Sequence, residues 1–156
     1  MKRLENFNAG ILITLLFLSI GCNRKISPSG EVSLLSESNG LITVRAVGTG
    51  TNEKEAITAA ETNAFDVIFF RGLSRSEQKK ALIGTDETRE KEKHKSYFEK
   101  FYEGKRYKTF VISSIPVSDL IKQKRGQKSI SVDIEINLVA LKEDLKEFSV
   151  IRKFGY

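Results

Sequence analysis

The chain predicts an α+β domain. It should hold an antiparallel sheet of about three strands, an Ala-rich helix packed on one face, a charged helical insertion over about 74–105 and a short C-terminal helix. Three observations carry this. Ile130, Val132, Ile134, Ile136 and Leu138 alternate with polar residues, as in a strand with one buried face. Leu41 to Val47 is a second β-branched run. Between them, Ala56, Ala60, Ala64 and Val67 or Ile68 recur at helical spacing, small enough for a helix to lie close against a sheet.

The N-terminus comes first. Lys2 and Arg3 precede the apolar stretch "AGILITLLFLSI", and Gly21-Cys22 follows it. The apolar run is shorter than the roughly 20 residues a spanning helix needs, and it ends at a small residue. These residues resemble a bacterial lipoprotein signal, which implies cleavage between Gly21 and Cys22 and diacylglycerol attachment to the Cys22 sulfur. Residues 1–21 then form the signal peptide. Two other readings stay open: an uncleaved anchor, or a buried thiol in a short helix. Cys22 is the only cysteine, so acylation accounts for a leftover thiol in an exported chain. The resemblance implies a cell-envelope location with the membrane as a partner. Asn23, in place of an aspartate, points to the outer membrane, with the body facing the periplasm.

Residues 22–40, rich in Ser, Gly and Asn, read as a flexible tether with room for a short strand at "VSLL". Residues 41–156 form a single domain. Its first strand ends where Gly48 and Gly50 break it, and Asn52 caps the following helix with Glu55 in the capping-box position. Arg71-Gly72 stops that helix. "GTGT" matches neither a dinucleotide nor a Walker loop, so it reads as a tight turn. "SRSE" predicts a cap for a short helix through Leu82. Asp86 to Glu103 predicts one longer helix with Tyr97, Phe98, Phe101 and Tyr102 on its apolar stripe. "YKTFVISSIPVSDLIKQ" and "KSISVDIEINLVA" predict a long hairpin turning at Gly126, with Pro116 marking a bulge or an edge. "LKEDLKEF" closes with a helix whose Leu141, Leu145 and Phe148 face inward, and the apolar tail docks on the body.

The chain of 156 residues carries a formal charge of +6, enough to favour anionic lipid or wall polymers without indicating nucleic acid. Catalytic signals are absent from the pattern. The single histidine, His94, lies among lysines and reads as a solvated helix residue. No Cys/His ligand set, calcium loop or nucleophile elbow occurs, so neither metal nor cofactor is expected. A hydrolase using a carboxylate pair remains open, because spacing in sequence does not report spacing in space. Lys79, Lys80, Lys91, Lys93, Lys95, Lys105, Arg106 and Lys108, interleaved with aromatics, form a candidate face for a wall polymer or anionic lipid.

Finally, Val44, Ala46, Gly48 and Gly50, followed by Glu55-Ala56, Ala60 and Ala64, resemble a family of small bacterial envelope modules. It includes the N-terminal domain of flagellar assembly protein T and the related twenty-kilodalton surface lipoproteins. The likeness covers roughly 41–72 well and 107–140 loosely. It implies a structural or assembly role with an envelope protein partner, and no catalytic residue. The expected function is therefore a non-enzymatic, lipid-anchored envelope protein.

Overall fold

The computed structural model describes residues 31–152, so Gly21, Cys22, the first half of the expected tether and residues 153–156 lie outside the described part. In chain order the elements are β1 (Val32–Ser38), β2 (Leu41–Gly50), α1 (Glu53–Phe70), α2 (Glu87–Lys93), α3 (Lys95–Tyr102), β3 (Val111–Pro116), β4 (Ile121–Lys122), β5 (Lys128–Asn137) and α4 (Leu138–Glu147). The class is α+β, as expected. The sheet holds five strands rather than about three, in the order β1-β2-β5-β3 with β4 beside β3 on β5, and every pairing is antiparallel.

The two additional strands have separate origins. β1 arises inside the segment expected to be tether. Its register places Val32, Leu34 and Glu37 opposite Ala46, Val44 and Ile42, so two aliphatics reach the buried face. A bulge between Leu34 and Ser36 breaks the alternation and left only "VSLL" to suggest it. β4 results from a break in the expected first hairpin arm: after Val117, whose N–H still bonds Ser131 O, residues Ser118 to Leu120 leave the ladder, and Ile121 rejoins it opposite Ser129.

One sheet face is the core. Ile42, Val44 and Ala46 from β2 and Val132, Ile134 and Ile136 from β5 are fully buried beneath α1, whose Ala56, Ala60 and Ala64 face them. Gly48 and Gly50 do not break β2; they remain in the ladder opposite Ile130 and Lys128. Their role is proximity. A Cβ on Gly48 would lie 1.9 Å from the Ala56 carbonyl oxygen and 2.3 Å from the Ala60 nitrogen. The glycines are where the α1 backbone touches the sheet backbone.

α1 begins as expected. The Asn52 side chain accepts the Glu55 N–H at 3.0 Å, while the Glu55 carboxylate accepts from the Asn52 amide at 2.8 Å and the Thr51 N–H at 2.9 Å. These donors hold the Glu55 carboxyl below its usual range, chiefly through the Thr51 hydroxyl and N–H. The helix stops at Gly72, which takes φ +78° and donates to Val67 O at 2.7 Å.

The insertion departs from expectation twice. "SRSE" caps no helix: Arg75 takes φ +69°, a left-handed conformation, and the Ser76 hydroxyl bonds back to Leu73 O at 3.1 Å. The helix expected from Asp86 to Glu103 is divided at His94, whose φ −115° and ψ 34° end α2 and start α3. Tyr97, Phe98 and Phe101 do form the buried stripe, with Phe98 and Phe101 packing on Phe65, Phe69 and Phe70 of α1, while Tyr102 is only partly buried. In α4, Leu141 and Leu145 are buried as expected, but Phe148 is exposed. It lies under the Arg106 guanidinium, 4.9 Å from ring centre to Cζ. The expected docking of the tail holds as far as the described residues reach, since Val150 is buried.

Candidate functional site

Among the described residues, the four α-helices gather on the buried side of the sheet. The opposite face carries polar side chains, led by the Arg45–Asp133 pair with contacts of 2.7 and 2.8 Å. The Arg45 hydrogen bond holds the Asp133 carboxyl below its usual range. No described helix packs on this face, so the sheet presents a flat surface bounded by two edges.

The edges differ. Along β1 runs the loop from Gly72 to Lys79, whose Glu77 N–H donates to the Glu37 carboxylate at 2.8 Å. β3 has no such cover among the described residues. Its register sets Ile115 opposite Asp133, and Val117 donates its N–H to Ser131 O at 2.9 Å. Ile121 stands opposite Ser129. Ile115, Val117 and Ile121 therefore project from the open face in a row along this edge. Ile115 is 58% exposed and Ile112, at the β3 bulge, 53%. Three aliphatics thus share the open face along this uncovered edge, and Ile112 adds a fourth exposed aliphatic at the bulge. The bulge and Pro116 leave only a short stretch of β3 backbone regular, so recognition here rests on side chains more than on added ladder bonds.

The eight basic residues read from the sequence do not converge. Lys91 bonds Glu87 at 2.8 Å and Asp66 at 3.1 Å. Burial lowers its pKa, but these carboxylates outweigh burial and raise it. Arg106 bonds buried Asp144, which also accepts the Tyr97 hydroxyl at 2.8 Å. Lys108 bonds buried Glu61 at 2.7 and 2.5 Å. Three of the eight are thus engaged in ties that clamp the insertion onto α1 and α4. Tyr102 adds another by donating to Asp66 at 2.6 Å. Burial, with the adjoining carboxylates, raises the Tyr97 and Tyr102 phenols above their usual range. Of the others, Lys93 and Lys95 flank the break at His94, and Lys95 lines a groove that also holds Glu87, Glu92, Glu99 and Glu103. Lys105 sits beyond α3, and Lys79 and Lys80 lie in the loop after α1. The groove is mixed in charge rather than a cationic cradle.

His94 also corrects an expectation. Its side chain is only 14% exposed, and Nε2, 3.9 Å from Glu90, has no hydrogen-bond partner. Burial first and Lys93 second push the imidazole below its ordinary value of 6.5, against a smaller opposing pull from Glu90. A depressed histidine stabilises the fold fully above the unfolded value, and that contribution is lost as pH falls through the window down to the folded one. Wild type should therefore lose stability as pH drops below about 6.5, and His94→Gln should flatten this part of the curve. Urea midpoints measured across pH 5 to 7 would check it.

Among the described residues, no three or more His, Cys, Asp or Glu side chains gather to hold a metal ion, and no helix is long and apolar enough to cross a membrane. The buried carboxylates Glu61 and Asp144 and the partly buried Asp66 each meet a cation, which suits them to holding structure together. The signal that sequence reading missed was the aliphatic spacing of Ile112, Ile115, Val117 and Ile121, absorbed there into a hairpin arm. Comparison with protein-family models, curated proteins and solved structures gives no match.

Proposed function

We propose that the chain is a non-enzymatic, lipid-anchored module of the bacterial cell envelope that assembles with another envelope protein through its β3–β4 edge. One observation carries the assembly reading: Ile112, Ile115, Val117 and Ile121 lie exposed together on the one edge that no described segment covers. Exposed apolar side chains clustered beside a free strand edge mark a surface suited to a protein partner. The anchor reading rests on the signal-like residues ending in Gly21-Cys22. The resemblance of 41–72 to envelope assembly modules agrees with both. It also has a physical basis, because Gly48 and Gly50 are the points where α1 rests on the sheet.

The test places a photocrosslinking residue at Ile115 and, as a control, at Lys142 in the full chain within a bacterial host. A discrete higher-mass product is expected from Ile115 and not from Lys142. Equal products from both, or none from either, would refute the docking edge. The anchor is tested separately by intact mass. An acylated N-terminal Cys22 is expected, and Cys22→Ser should release the protein from the membrane fraction.

A further inference from the structure

The edge patch ends in a segment of different chemistry. Between Asp119 and Asp133 the chain has four basic residues, Lys122, Lys124, Arg125 and Lys128, and no acid. Residues 121–127 are all exposed. The last β2 rung pairs Gly50 with Lys128, the residue that Lys122 faces across the hairpin, so the tip from Gln123 to Gln127 extends past the end of β2. Its turn is fixed: Gln123 N–H donates to Gln127 O at 2.7 Å, and Arg125 and Gly126 take left-handed φ of 60° and 75°. A Cβ placed on Gly126 would meet nothing within 4 Å, so the tip stands free of the body. Ile121, 55% exposed, flanks it.

The location of the tip points to its partner. β1 and β5 both run antiparallel to β2, so they start from the same end of the sheet. The chain upstream of Glu31 therefore arrives at the end where the hairpin projects. Only three strand spacings separate β1 from β4, about 15 Å. From Cys22 to Glu31 is a contour of at most about 35 Å. A bilayer holding Cys22 would face this end of the domain and the basic tip first.

We propose that the β4–β5 hairpin tip is a second membrane contact, in which Lys122, Lys124, Arg125 and Lys128 bind an anionic lipid surface and Ile121 enters the headgroup region. Clustered lysine and arginine beside a lipid attachment is the combination that turns a weak anchor into a firm one. The orientation rests on the lipid-anchored reading above; the charge and exposure of the tip do not. The contact would hold the body at a set angle to the membrane, with the apolar β3 edge standing upright from it.

The test uses the full chain purified from membranes and inserted into vesicles of phosphatidylcholine alone or of equal parts phosphatidylcholine and phosphatidylglycerol. Trypsin cleavage between Lys122 and Lys128 should slow about tenfold on the anionic vesicles and recover at high salt. Cleavage at Lys79-Lys80, in a loop away from the hairpin, should change less than about twofold between vesicles. Equal hairpin cleavage on the two compositions overturns the proposal. So does equal protection at both sites, or protection by soluble polyphosphate with none from vesicles. Intact mass at Cys22, read on the same sample, separates the two ideas. An unmodified thiol with a protected hairpin removes the anchor and keeps the tip contact, whereas an acylated cysteine with an unprotected hairpin does the reverse.

Discussion

Gly48→Val should destabilise the domain by about 3 kcal/mol or more, a large fraction of the stability of a domain this size. The new Cβ would sit 1.9 Å from the Ala56 carbonyl oxygen and 2.9 Å from the Ala60 Cα. Those are main-chain atoms of α1, so no rotamer change relieves the clash. The helix must lift off the sheet and open a gap above Val44 and Ala46, which are now fully buried. The cause can be separated from ordinary side-chain crowding, because Ala60→Gly in the same chain should give no rescue. Gly126→Ala offers a contrast, for its Cβ meets nothing and only the left-handed φ is penalised, at about 1 kcal/mol. Urea denaturation of the four proteins reads the difference. A mild loss in Gly48→Val, or recovery with Ala60→Gly, would show that helix and sheet are not in backbone contact.

The second large effect is expected at Lys108. Glu61 is 1% exposed, and its charge is balanced by the Lys108 ammonium at the mouth of the site. Lys108→Met leaves a buried carboxylate beside the Tyr107 ring and should destabilise by about 2–3 kcal/mol at neutral pH, discounted from a fully buried pair because Lys108 is half exposed. Glu61→Gln added to Lys108→Met should restore most of the stability at pH 7, since no charge is then buried. Urea midpoints at pH 7 read both variants. A negligible loss in Lys108→Met, or a double variant worse than the single, would contradict the tie. The same residue was a candidate for polyanion binding. A stability loss of this kind assigns Lys108 to the frame instead.

What the sequence could and could not reveal follows from the range of each interaction. The β5 alternation from Ile130 to Ile136 and the Asn52–Glu55 cap are local, and both appear as expected, whereas Leu138, read as the last strand position, begins α4 behind an Asn137 cap. The Ala series also reported the closeness of α1 to the sheet, although the reason for Gly48 and Gly50 needed three dimensions. β1 was hidden because a bulge at Leu35 interrupts its period and its open-face residues are serines, the composition of a linker. Local chemistry misled at Ser74–Glu77, where a sound capping pattern gives way to a left-handed Arg75. Glu61 with Lys108, Asp144 with Arg106 and Asp66 with Lys91 are separated by 47, 38 and 25 residues. No pattern of nearby residues encodes such pairs, so the basic run looked like a free surface. His94 looked solvated for the same reason: its flanking lysines are exposed, but the backbone turn at the helix break tucks the ring inward.

Pro116 and the irregular step at Ile112 gain meaning once neighbours are counted. On the anchored reading proposed above, the molecules share a surface and collide with their own kind far more often than molecules dispersed in a volume. An unguarded strand at the rim of each would invite stacking into endless ribbons. A residue without an N–H and a kinked step at the other end of the strand leave too little regular backbone for such growth to propagate.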